Sequence, residues 1–193
     1  MGAVTNTAAV RPGTSVGVFG CGGIGLSAVM GAVLAGANPI VAVDIKPEKL
    51  EVARRVGATH GVLASDPDAV AHIRDIAGGG LRTAVLGVGV ESVVQQAWAS
   101  LGPLGTAVMI PFMGLGASLT IDPLPLIRFE NRLVGSRYGS ASPGVEFPRL
   151  VDLYLAGRLP IDEIITRRYP LDDINEAHRA LAAGENARGL IVF

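Results

Sequence analysis

The composition of this 193-residue chain excludes several classes of protein. Hydrophobic residues make up 49% of the sequence and charged residues 17%, a balance that supports a folded core and argues against a disordered chain. The formal net charge is −1 and no block of like charges occurs, so we expect a protein that binds neither nucleic acid nor membranes. The chain has a single cysteine and no signal-peptide pattern, so we expect it to be cytoplasmic.

Predicted strands and helices alternate along the chain. The predicted strands are short apolar runs: Ser15–Gly20, Pro39–Asp44, Thr59–Ala64, Thr83–Gly87, Gly105–Ile110, Leu133–Ser136 and Gly189–Phe193. The predicted helices are longer segments, several with one apolar face: Ile24–Ala35, Lys46–Ala58, Pro67–Ala77, Glu91–Leu101, Glu146–Ala156 and Leu171–Ala183. Apolar strands separated by helices are typical of a parallel sheet covered on both faces, so we predict a doubly wound α/β fold.

The uncharged stretch between Arg11 and Asp44 has a second interpretation. No lysine, arginine, aspartate or glutamate occurs within it, as in a membrane-spanning segment. Several glycines and Pro39 divide it into pieces too short to cross a bilayer. We therefore interpret it as strand, turn, buried helix and strand.

The turn after the first strand has the spacing of a dinucleotide-binding motif. Gly20, Gly22 and Gly25 fit the pattern G-x-G-x-x-G between a predicted strand and a predicted helix. Gly20 would permit the tight turn, Gly22 the approach of a pyrophosphate, and Gly25 close packing of helix and strand. The free N–H groups at the start of the helix would then bind the phosphates, as in a Rossmann fold.

Asp44 indicates which dinucleotide would bind. It lies nineteen residues after Gly25, at the end of the second predicted strand, where a carboxylate accepts hydrogen bonds from the ribose hydroxyls of NAD. The same carboxylate would repel the 2′-phosphate of NADP by roughly 1 to 4 kcal/mol at about 4 Å, so we predict a preference for NAD. The alternative is that Asp44 merely caps the following helix.

The remaining reactive residues predict no catalytic or metal site in this chain. His60, His72 and His178 are far apart and have no cysteine or glutamate at ligand spacing, and no nucleophile motif occurs. Cys21 lies inside the glycine turn, where we interpret it as a spacer between glycines. The alternative is a reactive thiol whose pKa the helix N-terminus lowers. From spacing alone, Lys49 and Arg188 have two interpretations. Each is either an ordinary surface charge or a residue that contacts the phosphate and ribose of a cofactor.

These motifs stand in a sequence that resembles a known family. Residues 6–60, GSRYGS at 135–140 and residues 159–193 resemble the coenzyme-binding domain and C-terminal segment of zinc-dependent medium-chain alcohol dehydrogenases. The resemblance implies an NAD-binding Rossmann domain over residues 1–137 and the C-terminal part of an incomplete, split catalytic domain over 138–193. The family's N-terminal catalytic domain, with its zinc ligands, is not expected in this chain. Zinc is therefore expected only in a full-length enzyme, and the chain alone is not expected to catalyse.

The resemblance also assigns roles to individual residues. It implies that the pyrophosphate of the cofactor is bound by Gly20, Gly22, Gly23, Ile24, Gly25 and Arg188. The adenosine ribose would be bound by Asp44 and Lys49. The nicotinamide would be bound by backbone groups near Ile110, Phe112, Ser136 and Tyr138. Three residues depart from the family pattern: Arg82 and Leu86 stand where the family often has an acidic residue, and Pro111 where it often has glycine. These departures are expected to affect the loops on the nicotinamide side and not the fold.

The resemblance implies a dehydrogenase that acts on a small alcohol or aldehyde, and two other functions stay open. One is a zinc-free quinone or enoyl reductase, which Asp44 disfavours because such relatives usually prefer NADP. The other is a stand-alone NAD-binding sensor, which needs no catalytic residue. We also expect a homodimer, with Pro111–Asp122 as an extended edge strand that pairs with a second copy.

Overall fold

Eight strands and seven α-helices make up the chain in a computed structural model that describes all residues from Met1 to Phe193. The strands are β1 (Val16–Phe19), β2 (Ile40–Asp44), β3 (His60–Leu63), β4 (Leu81–Leu86), β5 (Leu101–Met109), β6 (Arg132–Gly135), β7 (Ile165–Pro170) and β8 (Arg188–Val192). The helices are α1 (Gly23–Leu34), α2 (Pro47–Arg55), α3 (Ala69–Ile76), α4 (Glu91–Ala99), α5 (Leu124–Arg128), α6 (Pro143–Leu155) and α7 (Ile174–Ala182). A π-helical turn (Ala3–Thr7) precedes β1, and three short 3-10 turns lie between Tyr138 and Asp173.

The central sheet has six parallel strands in the order β3-β2-β1-β4-β5-β6. The order reverses at β1, which pairs with β2 on one side and β4 on the other. Beyond the carboxyl ends of β1 and β4 a crevice forms, which is where open α/β sheets bind their ligands. The predicted doubly wound parallel sheet is therefore confirmed.

Both faces of the sheet are buried, which explains why its strands are almost continuously apolar. On one face, Val16, Val18 and Val85 pack against α1, α2 and the segment before β1. On the other face, Phe19 and Leu86 belong to a second cluster beneath α3 and α4. The uncharged stretch forms β1, α1 and β2, as predicted, and none of the helices has both the length and the apolarity to span a bilayer.

The largest difference from the predicted elements is β7, which pairs in parallel with β8 in a separate two-stranded sheet. Most of this strand faces solvent: Arg167 and Arg168 are exposed, and Tyr169 is its buried residue. Its sequence, ITRRYP, therefore has no apolar run from which a strand could be predicted. Smaller differences lie at boundaries. β5 begins at Leu101, directly after α4, because its first residues pair with the start of β4 before a register shift.

The expectation of an extended edge strand over Pro111–Asp122 is wrong. This segment forms no strand, and the outer strands of the sheet are β3 and β6. It lies along α4 instead. There, Thr120 N–H donates to Glu91 Oε1 (2.8 Å), Gln95 Nε2 donates to the Thr120 carbonyl (2.8 Å) and Trp98 Nε1 donates to the Asp122 carbonyl (2.9 Å). Its backbone is thus partly satisfied within the chain, and a homodimer stays a prediction.

Candidate functional site

The loop between β1 and α1 turns so tightly that two of its glycines are required. Gly20 has φ +91°, in the left-handed region that side chains disfavour, and its N–H donates to the Val43 carbonyl (2.8 Å). A Cβ at Gly25 would come well inside 3.0 Å of the Gly20 carbonyl oxygen, closer than real Cβ atoms approach. These contacts place the first turn of α1 directly over the carboxyl end of β1.

The start of α1 is open. No atom lies within 4 Å of the position that a Cβ would take at Gly22, the N-cap residue, and no side chain caps the helix. The N–H groups of Gly23 and Ile24 donate no hydrogen bond within the chain. Unpaired donors at the positive end of a helix are suited to an oxyanion.

Arg188 adds a formal positive charge at the same place. It is the first residue of β8, and its Nη2 lies 2.5 Å from the position a Cβ would take at Gly23, so the guanidinium lies against the first residue of α1. Arg188 is absent from every ion pair of the structure. A guanidinium and a helix N-terminus repel each other until an anion lies between them, so their combination favours a phosphate.

Asp44 is fixed on the other side of the loop. Its side chain is buried, Oδ2 accepts a hydrogen bond from the Cys21 N–H (2.7 Å) and Oδ1 accepts one from the Lys46 N–H (3.0 Å). Asp44 therefore connects the end of β2 to the glycine loop. Its contact at α2 is with the N–H of the N-cap residue, Lys46, so Asp44 does not cap the first-turn amides of that helix. Because a carboxylate has about four acceptor sites, capacity remains for a ligand.

A cleft of about 340 Å³ lies on this side of the loop and is lined by Gly20, Asp44 and Lys49, with apolar residues opposite. Lys46, which the sequence analysis missed, donates from Nζ to the carbonyls of Ala183 (3.3 Å) and Gly184 (3.2 Å). It thereby holds the end of α7 beside the cleft. No sequence signal could reveal this contact, because it joins residues about 137 positions apart.

A second cleft, of about 300 Å³, lies on the other side of the loop. It is lined by Gly23, Ile24, Ile110, Tyr138 and Arg188, among others, so five of the predicted residues meet there.

Four of the predicted residues line neither cleft. Two of them, Gly22 and Gly25, lie at the N-terminus of α1. Phe112 is 97% exposed, and Ser136 is buried with its Oγ 2.7 Å from Thr7 Oγ1. Thr7, which the sequence analysis did not single out, also lies 2.7 Å from Ser140 Oγ.

The interpretation of Cys21 as a reactive thiol is wrong. The side chain is fully buried and its Sγ lies 3.8 Å from the Val43 carbonyl. Burial, and then the negative charge of Asp44, raise the pKa of the thiol from 9.0 to about 12, against a smaller opposite effect of Lys49. Desolvation is thus the largest influence on this thiol, and it favours the neutral form.

We expect the native Cys21 thiol to react far more slowly with a disulfide reagent at pH 8 than the same thiol in urea, because the neutral, buried form predominates. The raised pKa also determines the direction in which the free energy of unfolding changes with pH. Between about pH 9 and pH 12 the unfolded chain loses this proton first, so this contribution to the free energy of unfolding falls as the pH rises. Equal native and unfolded reaction rates would contradict the burial.

The histidines form no metal site with one another or with Cys21. His60, His72 and His178 are all exposed, and His72 lies 3.2 Å from Asp66. No three histidine, cysteine, aspartate or glutamate side chains come together anywhere in the chain. The residues of this chain therefore do not fit a zinc ion.

The strand order, with a glycine-rich loop at its switch point, defines a doubly wound α/β protein of the Rossmann type. A family model described as zinc-binding dehydrogenase matches residues 23–156, and the chain belongs to this family of zinc-dependent medium-chain dehydrogenases.

Individual relatives agree with this family. The NDMA-dependent alcohol dehydrogenase of Amycolatopsis methanolica is 38% identical over 95% of this chain and 50% of its own length. An alcohol dehydrogenase zinc-binding domain protein from Burkholderia ambifaria superposes with a TM-score of 0.95 at 38% identity, over 98% of this chain and 51% of that one. A putative zinc-binding dehydrogenase from Sinorhizobium meliloti, solved with NADP bound, gives 0.86 at 28% identity, over 99% and 56%. The chain thus spans about half the length of these relatives.

Proposed function

We propose that this chain is the NAD-binding portion of an alcohol dehydrogenase, which oxidises an alcohol to an aldehyde or ketone by hydride transfer to NAD. The observation that carries the proposal is the meeting of three groups at one loop: the open N-terminus of α1, the unpaired Arg188 guanidinium and the fixed Asp44 carboxylate. Residues 1–137 would bind the cofactor. Residues 138–193 would belong to the catalytic domain.

The two clefts support a position for each part of the dinucleotide. The pyrophosphate would lie at Gly22 and Gly23 beneath Arg188, and the adenosine ribose would lie at Asp44 and Lys49. The nicotinamide would then extend into the other cleft, towards Ile110 and the backbone beside it. NAD, when bound, supplies the hydride acceptor. The residues of this chain would bind and orient it.

The choice of NAD over NADP rests on Asp44. Its charge lies at the end of β2, and both oxygens are already fixed by backbone donors, so the side chain cannot turn away from a 2′-phosphate without losing two hydrogen bonds. Because one relative was solved with NADP bound, the preference for NAD is an expectation about this chain and not about the whole family. The chain alone is not expected to oxidise alcohols, because no three of its histidine, cysteine, aspartate or glutamate side chains come together to hold the zinc ion on which the family's reaction depends.

Calorimetric titration of NADH into the chain tests the proposal, with Arg188→Gln as the test variant. We expect wild-type binding to weaken about tenfold or more in Arg188→Gln, since one charged hydrogen-bonding partner of the phosphate is lost. Arg158→Gln is the matched control, because Arg158 is exposed, takes part in no ion pair and lines neither cleft. Absence of NADH binding, or equal loss in the two variants, would contradict the proposed site.

A further inference from the structure

A third cleft, of about 500 Å³, lies at the end of the sheet opposite the glycine loop. Its polar lining consists of Arg11, Thr14, Arg82, Thr83, Thr106 and Arg132. The strand register places Thr83, Thr106 and Arg132 in one row across β4, β5 and β6. The carboxyl ends of these strands lie three residues further on, about 10 Å away at the usual rise per residue. The cleft is therefore separate from the proposed dinucleotide site.

The cleft concentrates positive charge that nothing in the chain neutralises. Arg11, Arg82 and Arg132 are absent from every ion pair of the structure, and no aspartate or glutamate lines the cleft. The chain as a whole has a formal net charge of −1, so three unpaired arginines in one cleft do not reflect a generally basic surface. Arg82 also stands where the family resemblance led us to expect an acidic residue, but the expectation that it concerns the nicotinamide side is wrong, because it lies at this opposite end of the strands.

The arginines differ in how far the fold has fixed them. Arg82 Nη1 donates to the Pro103 carbonyl (3.1 Å), which leaves its other donors free. The guanidinium groups of Arg11 and Arg132 donate no hydrogen bond within the chain. Thr14 Oγ1 donates to the Arg11 carbonyl (2.7 Å) and so fixes the turn from which Arg11 extends.

Hydroxyl groups add neutral donors to the same surface. Thr83 is only 4% exposed, and its hydroxyl has no partner within the chain. Every fully buried side-chain polar atom of the structure does have a partner, so the unpartnered Thr83 hydroxyl must be in contact with solvent. Thr83 is one of the residues that line this cleft. An almost buried hydroxyl without a partner, next to unpaired guanidinium groups, is a donor set that lacks its acceptor.

We propose that this arginine cleft binds a small phosphate-type anion that carries more than one negative charge. Planar guanidinium groups bind phosphate oxygens in pairs, and three of them offset more charge than a monoanion carries. Threonine hydroxyls donate to the remaining oxygens. The site is independent of the proposed NAD site, which lies at the other end of the strands.

Titration with inorganic pyrophosphate tests the proposal in the full chain. We expect saturable binding that weakens about tenfold or more in Arg11→Gln and in Arg132→Gln, and that weakens with added salt. Thr83→Val should also weaken it, and because the hydroxyl bonds to nothing in the chain, this nearly isosteric change should preserve the fold. Arg158→Gln is the matched control and should bind as the wild type does.

Arg188→Gln separates this site from the glycine loop, which could itself hold pyrophosphate. Retained binding in Arg188→Gln, with loss in the cleft variants, supports the arginine cleft whatever NADH does. Loss in Arg188→Gln alone would place the pyrophosphate at the loop and overturn the proposal. The proposal would also be overturned by equal loss of binding in Arg158→Gln or by the absence of saturable binding. Equally tight binding of citrate would overturn it as well, because the cleft would then not select phosphate.

Discussion

Replacing Gly25 by alanine is expected to destabilise the fold more than any other single methyl group added to the glycine loop. The new Cβ would overlap the Gly20 carbonyl oxygen and come within 3.3 Å of Val18 Cγ1. The overlap is with backbone, and Gly20 is itself fixed by its hydrogen bond to Val43, so the strain cannot be relieved by turning a side chain. We expect a loss of about 3 kcal/mol or more in the free energy of unfolding, measured by urea denaturation, and loss of NADH binding.

Gly22→Ala is the matched control, and it separates stability from binding. A Cβ at Gly22 meets no atom within 4 Å, and the residue has φ −81°, which alanine adopts without strain. Its stability should stay within about 1 kcal/mol of the wild type, the usual range for alanine at an N-cap. NADH binding should nevertheless weaken, because the methyl group would occupy the space proposed for the pyrophosphate. Equal stability of the two variants, or unchanged NADH affinity in Gly22→Ala, would contradict the role assigned to the glycine concerned.

The central sheet could be predicted from the sequence because each strand carries its own signal. β1, β2 and the second half of β4 are apolar on both sides, since helices cover both faces of the sheet, and glycines or Asp44 mark the turns. β7 had no such signal. It lies in a two-stranded sheet with Arg167 and Arg168 in solvent, and its pairing with β8 depends on a partner more than twenty residues away.

The candidate site divides in the same way. The glycine spacing and Asp44 are local features, so both could be identified before the fold was known. The position of Arg188 over Gly23 and the attachment of Lys46 to the end of α7 join residues that are far apart in the chain, and only the fold brings them together. The arginine cleft is the extreme case, because Arg11, Arg82 and Arg132 come from separate segments with no common motif.

Asp44→Asn is expected to change which cofactor the chain prefers. In the wild type, a 2′-phosphate about 4 Å from the carboxylate would be repelled by roughly 1 to 4 kcal/mol, which corresponds to about tenfold to nearly a thousandfold in affinity. The amide removes this charge and keeps one oxygen that can accept from the Cys21 N–H. The ratio of NADPH to NADH affinity, measured by calorimetry, should therefore rise at least about tenfold.

Asp44→Ala should act differently, because alanine leaves a buried donor without an acceptor. The Cys21 N–H would lose its 2.7 Å partner, at a cost of about 1 to 3 kcal/mol in unfolding free energy. The proposed pyrophosphate loop would then be held to β2 by the Gly20–Val43 backbone hydrogen bond without the Asp44 side chain. NADH and NADPH binding should then both weaken. Asp75→Asn, which changes an exposed carboxylate on α3, controls for net charge. If the NADPH to NADH ratio is the same in Asp44→Asn, Asp75→Asn and the wild type, Asp44 does not select the cofactor, and its carboxylate serves only to hold the glycine loop against β2.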